Sequence, residues 1–307
     1  MTLNQTIQES LVPLTGKLSN TDIVVTSLCA GAIAGALAKT TIAPLDRTKI
    51  NFQISEKPYS TKKALKFLIQ TLKNHGFFAL WRGNSATMAR IVPYAAIQFT
   101  AHEQWKRLLN VDASGKSPGK QFLAGSLAGV TSQSLTYPLD LARARMAVTP
   151  KDQYATLRQV FLKIYRQEGL LTFYRGIIPT LLGVIPYAGV SFYTYETLKR
   201  QYKEHIGHLN IPQPITSLGF GAIAGMLGQT SSYPLDIVRR RMQTDMINKY
   251  PSISGTLKLI WFNEGLKNGL YKGLSMNWIK GPIAVGISFA TYDNIRDTLR
   301  TVVLKYR

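Results

Sequence analysis

The chain is poor in several things at once, and each shortage removes a class of protein. Cys29 is the only cysteine in 307 residues, so disulfides within the chain and cysteine-based metal frameworks are excluded. Set among small apolar residues, Cys29 reads as a buried, inert thiol. The four histidines are scattered and no nucleophile stands near a base in sequence, so nothing suggests an enzyme, a catalytic residue, a cofactor or a metal. Acids are scarce, 16 against 37 lysines and arginines, and the net charge of +21 points to an anionic partner. Residues 1–21 hold Lys17 against Glu9, with no apolar core and no arginine. That fits neither a secretory leader nor a basic transit helix, so targeting information is expected inside the chain. Long greasy runs are few and mean hydropathy is close to zero. Even so, Ile177–Tyr195 and Gln213–Tyr233 carry no charge and Ile23–Ala43 carries only Lys39. Each is long enough to cross a hydrocarbon layer of ~30 Å as a helix. A nucleic-acid-binding solenoid would explain the charge but not these stretches, so nucleic acid is not the expected partner.

What is present in excess is repetition. Pro44-Leu45-Asp46, Pro138-Leu139-Asp140 and Pro234-Leu235-Asp236 recur at spacings of 94 and 96. Trp81-Arg82-Gly83, Tyr174-Arg175-Gly176 and Tyr271-Lys272-Gly273 recur at 93 and 97, as do Glu103/Lys106, Glu196/Lys199 and Asp293/Arg296. Three features sharing one period define three copies of a unit, long enough for two membrane helices each. The expected boundaries are a tail at 1–21 and repeats at 22–110, 117–205 and 213–302.

Every unit reads alike. A first helix opens with glycines four apart (Gly31 and Gly35, Gly125 and Gly129, Gly221 and Gly225), a spacing that lets helices approach closely in a membrane. A proline then predicts a kink. A basic linker follows with a short amphipathic stretch, such as Ala64, Leu65, Leu68, Ile69 and Leu72, ending at Gly76, Gly169 or Gly265 in an expected left-handed cap. A second helix runs from the aromatic-basic-glycine triplet to the last charged pair. The three linkers hold eight, seven and seven bases, which places them on the negative side of the membrane. The sequence therefore predicts an all-α membrane protein: three pseudo-symmetric repeats, six tilted spans around a central pathway, and short helices on one side.

Charged residues inside spans need partners. Asp46, Asp140 and Asp236 each precede a base by three, Lys49, Arg143 and Arg239. Three-fold pseudosymmetry makes the neighbouring repeat the natural partner, which predicts a closed ring of ion pairs acting as a gate. Glu103, Lys106, Glu196, Lys199, Asp293 and Arg296 can form a second ring at the opposite mouth. A solute lacks three-fold symmetry, so its contacts should break it. Thirteen residues before the second set stand Arg90, Gly183 and Lys280; seven before the gate aspartates stand Lys39, Gln133 and Gln229. Lys39, Arg90 and Lys280 have no acid at matching depth and are read as unpaired bases awaiting an anion.

Pro-x-Asp-x-x-Lys/Arg in triplicate, with acid-Gly-x4-aromatic-basic-Gly after it, resembles the mitochondrial carrier family over roughly residues 22–302. The resemblance implies a multi-pass monomer of the inner mitochondrial membrane with its linkers in the matrix, and bridges of Asp46 with Arg143, Asp140 with Arg239, and Asp236 with Lys49. It implies glutamine braces at Gln53 and Gln243, with Ala147 unable to supply a third. Asn51 replaces the usual second base and His75 the acid before Gly76, and one extra residue precedes Tyr271, so the first repeat's linker contacts are expected to be looser. The resemblance also implies cardiolipin sites at Arg82 with Gly83, Arg175 with Gly176, and Lys272 with Gly273, where helix N-termini favour phosphate. Gly183-Val184 is similar to the small-apolar pair of adenine nucleotide carriers, with Tyr187 one turn on as a stacking surface. Arg239-Arg240-Arg241-Met242-Gln243 lacks the longer arginine-methionine run of ADP/ATP exchangers. Pro44–Gln53 and Tyr271–Asp293 look most like the family's coenzyme A carriers. The solute stays open among coenzyme A, dephospho-coenzyme A, adenosine 3′,5′-diphosphate and ADP/ATP, with adenine nucleotide as counter-solute.

Overall fold

A computed structural model describes residues 19–56, 58–111, 117–206 and 213–305, so most of the expected tail lies outside it. Among these residues every regular element is helical. The first repeat gives α1 (Asn20–Ile54), α2 (Thr61–His75) and α3 (Asn84–Leu108). The second gives α4 (Pro118–Val148), α5 (Leu157–Gln167) and α6 (Ile177–Gln201), and the third α7 (Gln213–Thr244), α8 (Ile253–Gly265) and α9 (Leu274–Lys305). Two helical stretches, Thr21–Ile54 and Leu170–His205, are long and apolar enough to cross a membrane by composition alone, with mean hydropathy of 1.7 and 1.4. The other long helices carry polar residues along the cavity described below, which lowers their average.

Lys39–Pro282 forms one compact unit and Met1–Ala38 with Ile283–Arg307 another. Within the larger unit α3 packs along α4 and α6 along α7, so each even-numbered span meets the first helix of the next repeat. The expected glycine seam is not what brings helices together. A Cβ at Gly35, Gly125, Gly129, Gly221 or Gly225 would meet nothing within 4 Å. The buried ladder lies one face round, on Ala30 and Ala34, Ala124 and Ala128, and Ala224. On α7 it continues to Gly228, where a Cβ would fall 2.7 Å from the Tyr187 carbonyl and 1.9 Å from Ser191 Oγ of α6. Gly125 and Gly129 face the cavity instead. Spacing identified the right period; only packing selects which of two small-residue stripes is the contact.

In the smaller unit, Tyr292 is the nearest neighbour of Gly31, and Arg300 reaches Ser27 Oγ at 3.3 Å. Cys29 is exposed, contrary to the expectation of a buried thiol. In a membrane protein an outward face made of small apolar residues meets lipid rather than a core.

Prolines do not end the first helices. α1, α4 and α7 run on through Pro44, Pro138 and Pro234. Pro44 cannot donate to the carbonyl four residues back, and the Trp81 indole N–H takes that Thr40 oxygen at 2.7 Å. The linker glycines Gly76, Gly169 and Gly265 have φ of 81, 85 and 73° but ψ near 180°. They are therefore extended turns with positive φ, not the expected left-handed caps. Gly83 and Gly176, which start α3 and α6, are left-handed instead. A Cβ there would stand 2.9 Å from the Arg143 carbonyl and 3.1 Å from that of Arg239, so both sites require glycine by conformation and by space.

Candidate functional site

The prolines bring the three motif aspartates to one level, and each finds the base of the next repeat. Arg143 bonds Asp46, Arg239 bonds Asp140, and Lys49 Nζ lies 2.7 Å from Asp236. Asp46, Lys49 and Asp140 are buried. Gln53 Nε2 donates to Asp236 at 3.1 Å and Gln243 Nε2 to Asp140 at 2.8 Å. Each glutamine also donates to a tyrosine hydroxyl, Tyr233 or Tyr137, which itself donates to the Lys272 or Arg175 carbonyl. The first repeat has Ala43 where those tyrosines stand, and the second repeat has Ala147 where a third glutamine would stand. Both halves of the third brace are missing together.

The ring closes one end of a cavity of about 1850 Å³. All six expected solute residues line it: Lys39, Arg90, Gly183, Val184, Tyr187 and Lys280. Gln133 and Gln229 line it too. Eight bases and four acids face it among the described residues. Gly183 is not a packing requirement, since a Cβ there would make only an ordinary 3.7 Å contact with Leu235. From Gly183 to Glu196 along α6 the cavity is lined over about 20 Å of helix.

One expectation fails here. Arg90 and Lys280 are not unpaired. Lys280 Nζ lies 2.6 Å from Asp46, the aspartate that has no glutamine brace. Arg90 reaches Asp140 at 3.4 Å, Gln133 at 2.6 Å and Thr136 at 3.1 Å, and its guanidinium sits 4.9 Å from the Tyr94 ring centre. Both side chains are long enough to lean from mid-depth onto the gate carboxylates, which counting along the helix could not reveal. Lys39 is exposed and has no ion pair among the described residues.

In the second set, the ion pairs among the described residues lie within single helices. Lys106 pairs with Glu103 of its own helix at 3.0 Å, with side chains 37 and 59 % exposed. Arg296 pairs with Asp293 and Asp297, also within one helix. Glu196 and Lys199 are exposed and make no ion pair among the described residues.

The triplet bases are also committed differently than expected. Arg82 donates to the carbonyls of Thr149, Pro150 and Tyr154, and Arg175 to Asp245 and Asn248. Lys272 is buried against Glu264 and the Ser55 carbonyl. These side chains join neighbouring repeats.

Sequence reasoning missed a second tier of buried pairs. Arg145 grips Glu168 through both nitrogens and donates to the Gln243 carbonyl at 3.0 Å. Arg241 pairs with Glu264 at 2.5 Å and donates to the Gln53 carbonyl at 3.1 Å. Burial pushes the Glu264 carboxyl up, but bonds from Arg241 and Lys272 outweigh it and hold the group below the usual carboxylate range. The signal was available, because the second base of each motif and the acid before each linker glycine stand at matching positions. In the first repeat Asn51 and His75 replace them; Asn51 donates to the Ala147 carbonyl at 3.0 Å and His75 is exposed.

A triplicated helical unit, a ring of inter-repeat ion pairs and a basic central cavity define a solute carrier. The family model described as mitochondrial carrier protein matches residues 20–113, 114–206 and 212–302, and the chain belongs to that family. It is a multi-pass transporter of the inner mitochondrial membrane with the all-α carrier fold. Among its relatives, the mitochondrial coenzyme A transporter of Homo sapiens is 58% identical over 283 residues, covering 90% of this chain and 89% of the relative. That of Xenopus tropicalis is 57% identical over 276 residues, covering 88% and 84%. The mitochondrial adenyl nucleotide antiporter of Bos taurus is 38% identical over 276 residues, covering 89% of this chain and 58% of the relative.

Proposed function

We propose that this carrier imports coenzyme A into the matrix in exchange for an adenine nucleotide. The observation that carries the reading is the cavity: a surplus of bases surrounds a glycine that packing does not require, with Val184 and Tyr187 beside it. Its volume exceeds the ~300–1,000 Å³ of an ordinary ligand pocket, which suits a long solute. The resemblance to relatives named coenzyme A transporters supports the same solute. In this reading the phosphates bind Lys39, Arg90 and Lys280, and the adenine occupies the space beside Gly183 and stacks on Tyr187. Charge-assisted contacts of this kind are strong in a cavity of low dielectric.

The same bases link binding to opening. Lys280 and Arg90 lean on Asp46 and Asp140. A bound phosphate competes with those carboxylates for both cations, so arrival of the solute draws an extra cation away from two of the three gate acids. The matrix gate then consists of Asp46, Lys49, Asp140, Arg143, Asp236 and Arg239 with Gln53 and Gln243 as braces. The opposite gate is Glu103, Lys106, Glu196, Lys199, Asp293 and Arg296, whose exposed pairs within helices suit a mouth that is open. Cardiolipin is proposed to bind through the helix N-termini after the three triplets.

Uptake of labelled coenzyme A into proteoliposomes preloaded with ADP tests the assignment. Uptake that depends on internal ADP is the expected result. The second reading is a plain adenine nucleotide exchanger, favoured by the likeness to the bovine antiporter. Vigorous ADP/ATP exchange, with coenzyme A neither transported nor competing, would establish it instead.

A further inference from the structure

Three gate acids need three bases, and Lys49, Arg143 and Arg239 supply them. Arg240 is a fourth. It lines the cavity and is largely enclosed, with 12 % of its side chain exposed. Its Nη1 stands 3.7 Å from Asp140 and donates to Gln243 Oε1 at 2.9 Å, while its buried Nε has no hydrogen-bond partner. Asp140 is already satisfied by Arg239 and by Gln243 at 2.8 Å. With Arg90 at 3.4 Å, one carboxylate faces three guanidinium groups. Asp46 faces two bases within 4 Å and Asp236 one. The positive charge of the ring is therefore concentrated at one corner, where a half-satisfied guanidinium is costly to keep unless an anion joins it.

We propose that Arg240, together with Arg90, forms a subsite for a phosphomonoester dianion of the solute. The proposal rests on the coenzyme A reading and deepens it, because the 3′-phosphate is the group that separates coenzyme A from dephospho-coenzyme A. A phosphomonoester carries roughly −1.5 to −2 at neutral pH, the charge that two guanidinium groups in excess of one carboxylate neutralise. Guanidinium forks also match phosphate oxygens in pairs. Arg90 presents its fork in a fixed plane, held between Gln133, Thr136 and the Tyr94 ring.

The competing role for Arg240 is to orient the Gln243 amide, and the two differ in what they predict. Arg240→Gln and Arg240→Lys are reconstituted with internal ADP, and initial uptake of coenzyme A and dephospho-coenzyme A is measured below saturation. In Arg240→Gln, coenzyme A uptake should fall roughly tenfold more than dephospho-coenzyme A uptake, the value of one lost charge-assisted bond. Arg240→Lys should restore part of that difference. An equal fall for both solutes, or an unchanged ratio, overturns the subsite and leaves Arg240 as a brace. If the variants do not fold, the unmodified carrier is melted in detergent with adenosine 3′,5′-diphosphate or with adenosine 5′-monophosphate. A larger stabilisation by the diphosphate supports the subsite, and an equal one overturns it. Should the unmodified carrier take up neither coenzyme A nor dephospho-coenzyme A, the solute assignment fails, while the melting comparison still decides the subsite.

Discussion

The two triplicated sets of acids and bases follow similar sequence patterns and bond in opposite ways. In the first set three aspartates are joined to bases of the next repeat, two of them with a glutamine and a tyrosine behind. In the second, Glu103 bonds Lys106 and Asp293 bonds Arg296 along single helices, in the open. An acid and a base three residues apart on a helix can always meet each other. They find partners in a neighbouring repeat only where the helices converge. The motif aspartates have a base of the next repeat within reach, and the second set bonds along its own helices.

The sharpest way to break the comparison is at the closed end. Asp140→Arg or Arg239→Asp alone leaves like charges facing each other in a buried ring, a loss of ~3–5 kcal/mol when a buried pair is broken. Transport should be abolished in each, and the double exchange should recover part of it. A double variant no better than the worse single one would show that the pair does not act as a gate. Next in size is Arg90→Ala, expected to abolish exchange and, because Arg90 bonds Asp140, Gln133 and Thr136, to lower the melting temperature while the protein still folds, checked by proteoliposome uptake beside a thermal scan.

Gln243→Ala removes one brace and leaves Asp140 with its arginines, so its cost should be that of a single buried hydrogen bond to a charged group, ~1.5–3 kcal/mol. Gln243→Ala melting no earlier than the unaltered carrier would remove the brace from the account. At the open end, Glu103→Gln should leave the melting temperature where it is, because an exposed pair within one helix contributes little. A clear drop there would mean that the second set is joined across repeats in the detergent-solubilised carrier. The smallest effect concerns lipid. Added cardiolipin should raise the melting temperature by more than a neutral lipid does, and Arg82→Gln should reduce general stability without removing that difference, since Arg82 bonds protein carbonyls. Loss of the cardiolipin response in Arg82→Gln would restore the side chain as the lipid ligand.

The repeat period, the helix pairs and a ring of ion pairs between neighbouring repeats were legible because each depends on local spacing repeated three times, and the family resemblance implied which acid meets which base. The grouping of Lys39, Arg90, Gly183 and Lys280 around one cavity was legible for the same reason. The alanine ladder was not, since glycine and alanine stripes share one period and only contact distinguishes them. Nor was the lean of Arg90 and Lys280 onto Asp140 and Asp46, because a long side chain spans more than a helical turn. Arg240 was overlooked because it lies outside the periodic set that defines the ring.

By itself the sequence determined that three copies of a charged hairpin must share an axis, because intramembrane charges require partners and each copy offers its neighbour the same acid and base. Through the family resemblance it also implied two glutamine braces and not three, since Ala147 lacks an amide, and looser linker contacts in the first repeat at Asn51 and His75. Only the tertiary structure decided which ring is closed, which small residues touch, and that two solute-site bases hold the gate. Those outcomes depend on distances of a few ångströms between helices far apart in sequence, where a shift of one side-chain length exchanges an ion pair across repeats for one within a helix.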